Sequence, residues 1–321
     1  MTSTIHDHPG AHELPPPRAE EVAERVYAYI QPDGGWWINN TGFVLGENSA
    51  LCIDTCATER RTRAFLDTVD GLRRERGLHG GGPRLLVNTH HHGDHTNGNS
   101  LLPESTIIGH HLCRDAIEAA GILRPDGLWE PVDWGELEPA PPFVTFERRL
   151  DLFVDDLKIE LHHFGTASHT TNDVVAWIPE HKVLFTGDLV FNGGTPFVLM
   201  GSVAGSLVAL DCLMELEPEV IVPGHGDVCG PEVMDLVGEY LRFLQSVAED
   251  SKGAGRSPLE VARLTDLGPF AALTHPERLV GNLHRAFAEC EGARPGDPLD
   301  VAGALFDMVT FNGGRPLTCL A

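Results

Sequence analysis

Residues 88–97 read Asn-Thr-His-His-His-Gly-Asp-His-Thr-Asn, and no other stretch restricts the chain as much. His90, His92 and Asp94 alternate, and His95 follows directly. The preceding Arg84-Leu85-Leu86-Val87-Asn88 reads as a short buried strand. The cluster therefore starts where a strand ends, which is where open α/β sheets place their sites. Burying such a set of imidazoles with a carboxylate is costly unless something compensates, and a divalent cation does so. A solvated His-rich loop is the competing reading.

The same pattern recurs further on. Residues 161–173 end a strand in a loop of small residues that carries His169. Asp173 opens the strand 174–178. The run Val183-Leu184-Phe185-Thr186 leads straight into Gly187-Asp188, and Val220-Ile221-Val222 into Pro223-Gly224-His225-Gly226. Coincidence is a poor account of repeated apolar strands with His or Asp at their exits. Asp54 ends the strand 50–54, so its carboxylate could reach the cluster as a support for a ligand. A turn or helix-cap role explains it equally well.

Around these sites the chain alternates strands and helices. Residues 24–30 read as a strand, 32–35 as a turn and 36–45 as the returning strand of a hairpin, with Trp36 and Trp37 near its tip. Either one tryptophan is core and the other partly exposed, or the pair forms a flap over a cleft. Residues 59–76 read as a helix burying Phe65, Leu66, Val69 and Leu72. A strand at 105–108 and a helix at 110–121 precede a Pro-, Gly- and Trp-rich excursion over 122–142, which contains Trp129 and Trp134. Three units are expected: a disordered arm over 1–19, a metal-binding domain over 20–230, and a C-terminal helical extension over 231–321. Phe-Asn-Gly-Gly occurs at 191–194 and again at 311–314, and the second copy has no physical account.

Composition narrows the class of partner. With 321 residues and 42% hydrophobic content the chain can build a full core. A formal net charge of −24 argues against nucleic acid and against anionic membrane surfaces. The 7 cysteines are widely spaced with no Cys-x-x-Cys pair, so reduced thiols are expected and not a disulfide framework. No secretory signal or membrane-length apolar run is visible, and the expectation is a cytoplasmic protein.

His90-x-His92-x-Asp94-His95, followed in order by His169, Asp188 and His225, resembles the metal motif of the metallo-β-lactamase-fold hydrolases. The resemblance spans residues 20–230 and implies an αββα sandwich, two sheets face to face with helices outside. It implies that His90, His92 and His169 hold one zinc, that Asp94, His95 and His225 hold a second, and that Asp188 bridges them. The implied cofactor is two Zn2+ per chain, although iron or manganese suits the same ligands. The physics agrees with this division. In an extended segment His90 and His92 point one way and His91 the other, so His91 is left out. Gly93 permits the turn that re-aims Asp94 and His95. The implied mechanism uses a metal-bridging hydroxide, with Asp94 both ligating metal and orienting the nucleophile.

A narrower resemblance rests on residues 34–43 (Gly-Gly-Trp-Trp-Ile-Asn-Asn-Thr-Gly-Phe), on 89–97, and on 312–319 (Asn-Gly-Gly-Arg-Pro-Leu-Thr-Cys). These strings look like the metallo-β-lactamase-fold cyclases and thioesterases of actinomycete aromatic polyketide pathways. The substrate so implied is a small-molecule acyl thioester or polyketide, free or bound to a carrier protein. Trp36, Trp37, Trp129, Trp134, Phe191 and Asn192 are the candidates for its wall. A β-lactamase or lactonase, an iron-based redox enzyme, and a non-catalytic binding protein stay open as alternatives. So does a homo-oligomer.

Overall fold

The computed structural model describes residues 14–78, 82–122, 127–253 and 255–321. Seven strands lie side by side in chain order in the first sheet: β1 (Arg18–Ala23), β2 (Val26–Ile30), β3 (Thr41–Leu45), β4 (Ala50–Ile53), β5 (Pro83–Val87), β6 (Thr106–His110) and β7 (Val144–Phe146). Pairing is antiparallel from β1 to β4 and parallel from β4 to β7. The second sheet holds β8 (Arg149–Val154), β9 (Leu157–His162), β10 (Val175–Ile178), β11 (Val183–Phe191) and β12 (Val220–His225), in the order β12-β11-β10-β9-β8. Only its β11–β12 pair is parallel.

Alternation along the strands builds the layers. Val26, Ala28 and Ile30 of β2 face the second sheet and join Ile159, Leu161, Ala176 and Phe185 in the central core. Their neighbours Tyr27 and Tyr29 face outward and pack with Phe65 and Val69 of α1 (Glu59–Glu75). Thr58 caps that helix by accepting a hydrogen bond from the Arg61 N–H. Burial of a side chain such as Phe65 contributes ~1.5–3 kcal/mol, so α1 is held mainly by this stripe. Two short helices follow in the chain, α2 (Gly93–Thr96) and α3 (His111–Ala120).

The outer face of the second sheet is covered by α4 (Val203–Glu215), α5 (Glu232–Ser251), α6 (Pro258–Leu264), α7 (Arg278–Cys290) and α8 (Val301–Phe311). Val175, Trp177, Leu184 and Ile221 of that sheet share one hydrophobic cluster with Leu210, Leu241, Leu283 and Met308 of these helices. The molecule is thus layered helix–sheet–sheet–helix, the expected αββα sandwich. The helices after residue 231 are part of its core. Among the described residues no helix is long and apolar enough to cross a membrane.

Two boundaries differ from the sequence reading. β1 begins at Arg18, inside the stretch 1–19 expected as an arm, and residues 1–13 of that stretch lie outside the described residues. The returning strand of the hairpin begins only at Thr41, so Trp36 and Trp37 lie in a loop over 31–40. Buried amides pull that loop off the ladder. Asn40 Nδ2 donates to the carbonyls of Pro223 (3.0 Å) and Gly226 (2.6 Å), and Asn39 Nδ2 donates to that of Thr55 (2.9 Å).

Candidate metal centre

Strand ends bring the polar cluster together. His90 and His92 follow β5, and Asp94 and His95 occupy the first turn of α2. His169 stands in the loop after β9, Asp188 lies within β11, and His225 closes β12. Gly224 is required for the last of these. A Cβ there would overlap Asp188 Oδ1 and the backbone at Gly187 and Asp188.

The seven side chains form two groups. His90, His92, His169 and Asp188 offer ligand atoms within 4.8 Å of one another, and so do Asp94, His95 and His225. His169 Nε2 stands 2.8 Å from His92 Nδ1 and 3.3 Å from Asp188 Oδ2. His225 Nε2 lies 3.4 Å from both Asp94 Oδ2 and Asp188 Oδ2. His95 Nε2 is 3.1 Å from Asp188 Oδ1, yet neither atom has a partner in hydrogen-bond geometry. His90 Nε2 is a third buried atom with no partner. Buried polar atoms that converge without bonding one another fit cations placed between them. Asp188 reaches both groups, as a bridging carboxylate must.

The charges fit as well. Burial holds His90 and His92 well below the ordinary imidazole range, so both keep neutral rings with lone pairs to give. Burial alone would raise the Asp188 and Asp94 carboxyls, but the facing His225 and His95 outweigh it and lower both. Burial would likewise lower His95 and His225, and the carboxylates around them raise both instead. A cation held by this set would displace those protons.

A sequence model of the Metallo-beta-lactamase superfamily matches residues 34–225, well over half of the chain. The chain belongs to the metallo-beta-lactamase superfamily. An acyl-coenzyme A thioesterase of Gallus gallus is 27% identical over 234 residues, covering 66% of this chain and 78% of the relative. A hydroxyacylglutathione hydrolase of Rhodospirillum rubrum is 29% identical over 224 residues, covering 67% and 75%. A type 2 metallo-beta-lactamase of Bacteroides fragilis is 22% identical over 238 residues, covering 69% and 85%. Among solved structures, a metallo-beta-lactamase from Pontibacter korlensis superposes with a TM-score of 0.58 at 17% identity, over 71% of this chain and 99% of its own.

In this superfamily member the remaining nitrogen of most cluster imidazoles is held by a second group, which fixes the ring. Asp54 Oδ2 accepts from His95 Nδ1 at 2.8 Å, while the Thr89 N–H and hydroxyl, each at 2.7 Å, bind the same carboxylate. Burial raises the Asp54 pKa against the pull of His95. The Phe197 carbonyl accepts from His169 Nδ1 at 2.5 Å and the Gly34 carbonyl from His225 Nδ1 at 3.1 Å. His92 differs, because its Nδ1 faces the cluster and its Nε2 lies 3.4 Å from Met200 Sδ.

The cluster forms one end of a cavity of about 510 Å³. Trp36, Trp37, Trp129 and Phe191 line it, and each is buried. The two tryptophans at 36 and 37 therefore pack as core and wall the cavity together, each ring meeting Trp129 edge-on at 5.4 Å. Two wall expectations fail. Trp134 stands behind the wall, its ring edge-on to Trp37 at 4.8 Å. Asn192 gives its amide to the Asp227 carbonyl and its backbone N–H to that of His225, away from the cavity. His91 borders the cavity with its ring held 3.0 Å from the Asn172 amide, outside both ligand groups.

The loop from Phe191 to Met200 and the C-terminal helices, both expected to wall the site, contribute Phe197, Leu305 and Phe306, and sequence reasoning missed Arg278. It also missed the support behind the wall. Asn282 of α7 accepts from the Val198 N–H (2.9 Å) and donates to the Pro196 carbonyl (2.7 Å). Arg285 donates twice to the Leu199 carbonyl and once to that of Asp297. α7 thereby grips the backbone that presents the Phe197 carbonyl to His169.

Proposed function

We infer that this chain is a dinuclear zinc hydrolase of acyl thioesters, acting on polyketide-type acyl chains that are free or bound to a carrier. The observation behind this reading is the aromatic cavity that opens directly from the metal-binding cluster. Its volume suits a drug-sized or larger acyl group, and its wall offers far more apolar contact than a small lactam ring requires. The names of two relatives, acyl-coenzyme A thioesterase and hydroxyacylglutathione hydrolase, also pair acyl groups with hydrolysis. Zinc is the metal favoured by a donor set of imidazoles and carboxylates, and two ions there supply Lewis acidity and acidify water.

The protein's own part is placement. Trp36, Trp37, Trp129 and Phe191 hold the acyl chain and exclude bulk water. Asp94 borders the cavity, so its carboxylate accepts a hydrogen bond from the attacking water and orients it. The water oxygen bonds to the acyl carbon, the carbon–sulfur bond breaks, and the thiol leaves with a proton. An enolate carbon of the same chain can take the water's place, which is the cyclase outcome.

The test compares turnover of an aromatic or long-chain acyl-cysteamine thioester with that of a chromogenic cephalosporin at equal concentration, alongside elemental analysis. Faster thioester turnover with about two zinc ions per chain is expected. Faster cephalosporin turnover overturns the substrate reading. Well below one equivalent of any transition metal, with no gain on reconstitution, overturns the dinuclear one.

A further inference from the structure

Arg278 enters α7 with its side chain only 2% exposed, on the border of the cavity. Its guanidinium stacks over Trp36 at 4.2 Å and over Phe191 at 5.1 Å. Phe191 in turn stacks on the cluster residue His225, at 5.1 Å with the rings nearly parallel. One aromatic ring therefore separates this cation from the metal-binding cluster. Arg278 Nη1 donates to the Thr195 carbonyl at 2.9 Å, while Nε has no acceptor. Among the described residues no carboxylate forms an ion pair with it, and Asp188, Glu277 and Asp94 act on it only through space.

Arg285 lies two turns along the same helix and is equally buried, but all three of its nitrogens donate to carbonyls. A structural arginine in this helix thus looks different from Arg278. Burying a guanidinium with donors to spare is costly unless a ligand completes it. The indole N–H groups of Trp37 and Trp129, on the same cavity, also lack acceptors. Outside the metal-binding cluster, the buried side-chain atoms of the wall that lack a partner are all donors.

We propose that Arg278 binds an anionic oxygen on the acyl chain, placed a few bonds from the scissile carbonyl. The oxygen that fits is that of an ionised β-dicarbonyl, an enolate whose charge the guanidinium stabilises by a charge-assisted hydrogen bond. Substrates with a 3-oxo group are therefore preferred over saturated ones of equal length. This rests on the thioesterase reading and narrows its substrate class.

The experiment measures kcat and KM for a 3-oxoacyl, a saturated acyl and a succinyl cysteamine thioester, with wild type, Arg278→Gln and Arg278→Lys. Gln keeps a donor for the Thr195 carbonyl and removes the charge. In Arg278→Gln, kcat/KM for the 3-oxoacyl substrate should fall by about ten- to a hundredfold, with much less change for the saturated one. Lys should restore part of the preference. A selective loss on the succinyl substrate alone would replace the enolate with a carboxylate and overturn the class proposed. Equal losses on all three, with metal content and melting temperature unchanged, would refute the selective contact with a 3-oxo group.

Quenching of the protein's tryptophan fluorescence by a medium-chain β-diketone, against the matching monoketone, reads binding without turnover. Tighter diketone binding that Arg278→Gln abolishes supports the proposal even if no thioester is hydrolysed, in which case only the thioesterase reading fails. Equal binding of the two ketones by wild type refutes it.

Discussion

Asp54→Asn is the perturbation that most directly tests how the ligands are held. Asp54 is 2% exposed and its carboxylate receives three donors, the Thr89 N–H, the Thr89 hydroxyl and His95 Nδ1. Its backbone is left-handed at φ 61°, a conformation Asn tolerates, so the exchange leaves the fold of the strand exit alone. An amide replaces one acceptor oxygen with a donor. Set against His95, that donor opposes the Nδ1 proton and drives the imidazole toward the tautomer with its proton on Nε2, the atom that faces the cluster. Flipping the amide moves the conflict to the Thr89 N–H, which cannot rotate away. Losing such a support costs about ten- to a hundredfold in metal affinity, or ~1.4–2.8 kcal/mol. The loss should fall on the group formed by Asp94, His95 and His225 and spare the one formed by His90, His92 and His169. Competition against a graded chelator series, with bound metal counted at each step, separates the two. Both affinities within about threefold of wild type, or first loss from the three-histidine group, would refute the reasoning.

Gly224→Ala should release metal and abolish turnover in a chain that still folds, because the new methyl group occupies the position of Asp188 Oδ1; full metal content by elemental analysis would contradict the packing argument. His110 is buried, and burial together with the neighbouring His163 pushes its pKa down to about 4 from an ordinary 6.5. The unfolded chain takes up that proton before the folded one does, so stability falls as pH drops from about 6.5 toward 4. His110→Gln should flatten this slope in urea midpoints, and an unchanged slope counts against the assignment. Burial pushes the Cys56 thiol up to about 12 and raises Cys52 too, so neither supplies a thiolate at neutral pH. Cys52→Ser and Cys56→Ser should keep their rates, and a large loss of turnover in a folded variant would argue for a thiol nucleophile.

Much of this architecture is legible in the chain because its signals are local. Val26, Ala28 and Ile30 alternate with Tyr27 and Tyr29, and that period sets the two faces of β2. His90, His92, Asp94 and His95 announce themselves by density, and His169, Asp188 and His225 by standing where apolar runs stop. The misread residues depend on contacts between distant segments. Asn192 follows Phe191 at a strand end, so the two face opposite ways, and the alternation that served elsewhere would have turned Asn192 from the cavity. Nothing local marks Asn39 and Asn40 as loop anchors, since their partners Thr55, Pro223 and Gly226 lie far along the chain. Arg278, Asn282 and Arg285 recur as a polar stripe that reads as the solvent face of a helix. Here the stripe is buried, because it meets backbone carbonyls instead of water.

That stripe bears on when the protein can capture metal. The Phe197 carbonyl aims His169, and Asn282 holds the backbone at 196 and 198 on either side of it. A chain still being synthesised presents His90, His92, Asp94 and His95 early, but the hold of Asn282 on the backbone at 196 and 198 forms only once α7 emerges. Tight metal capture is then a late event, coupled to completion of the helical layer and not to formation of the sheets. Ribosome-stalled chains of increasing length should retain zinc against a chelator only once residue 290 has cleared the exit tunnel. Retention by chains that expose residues up to 230 would show instead that the strand exits suffice.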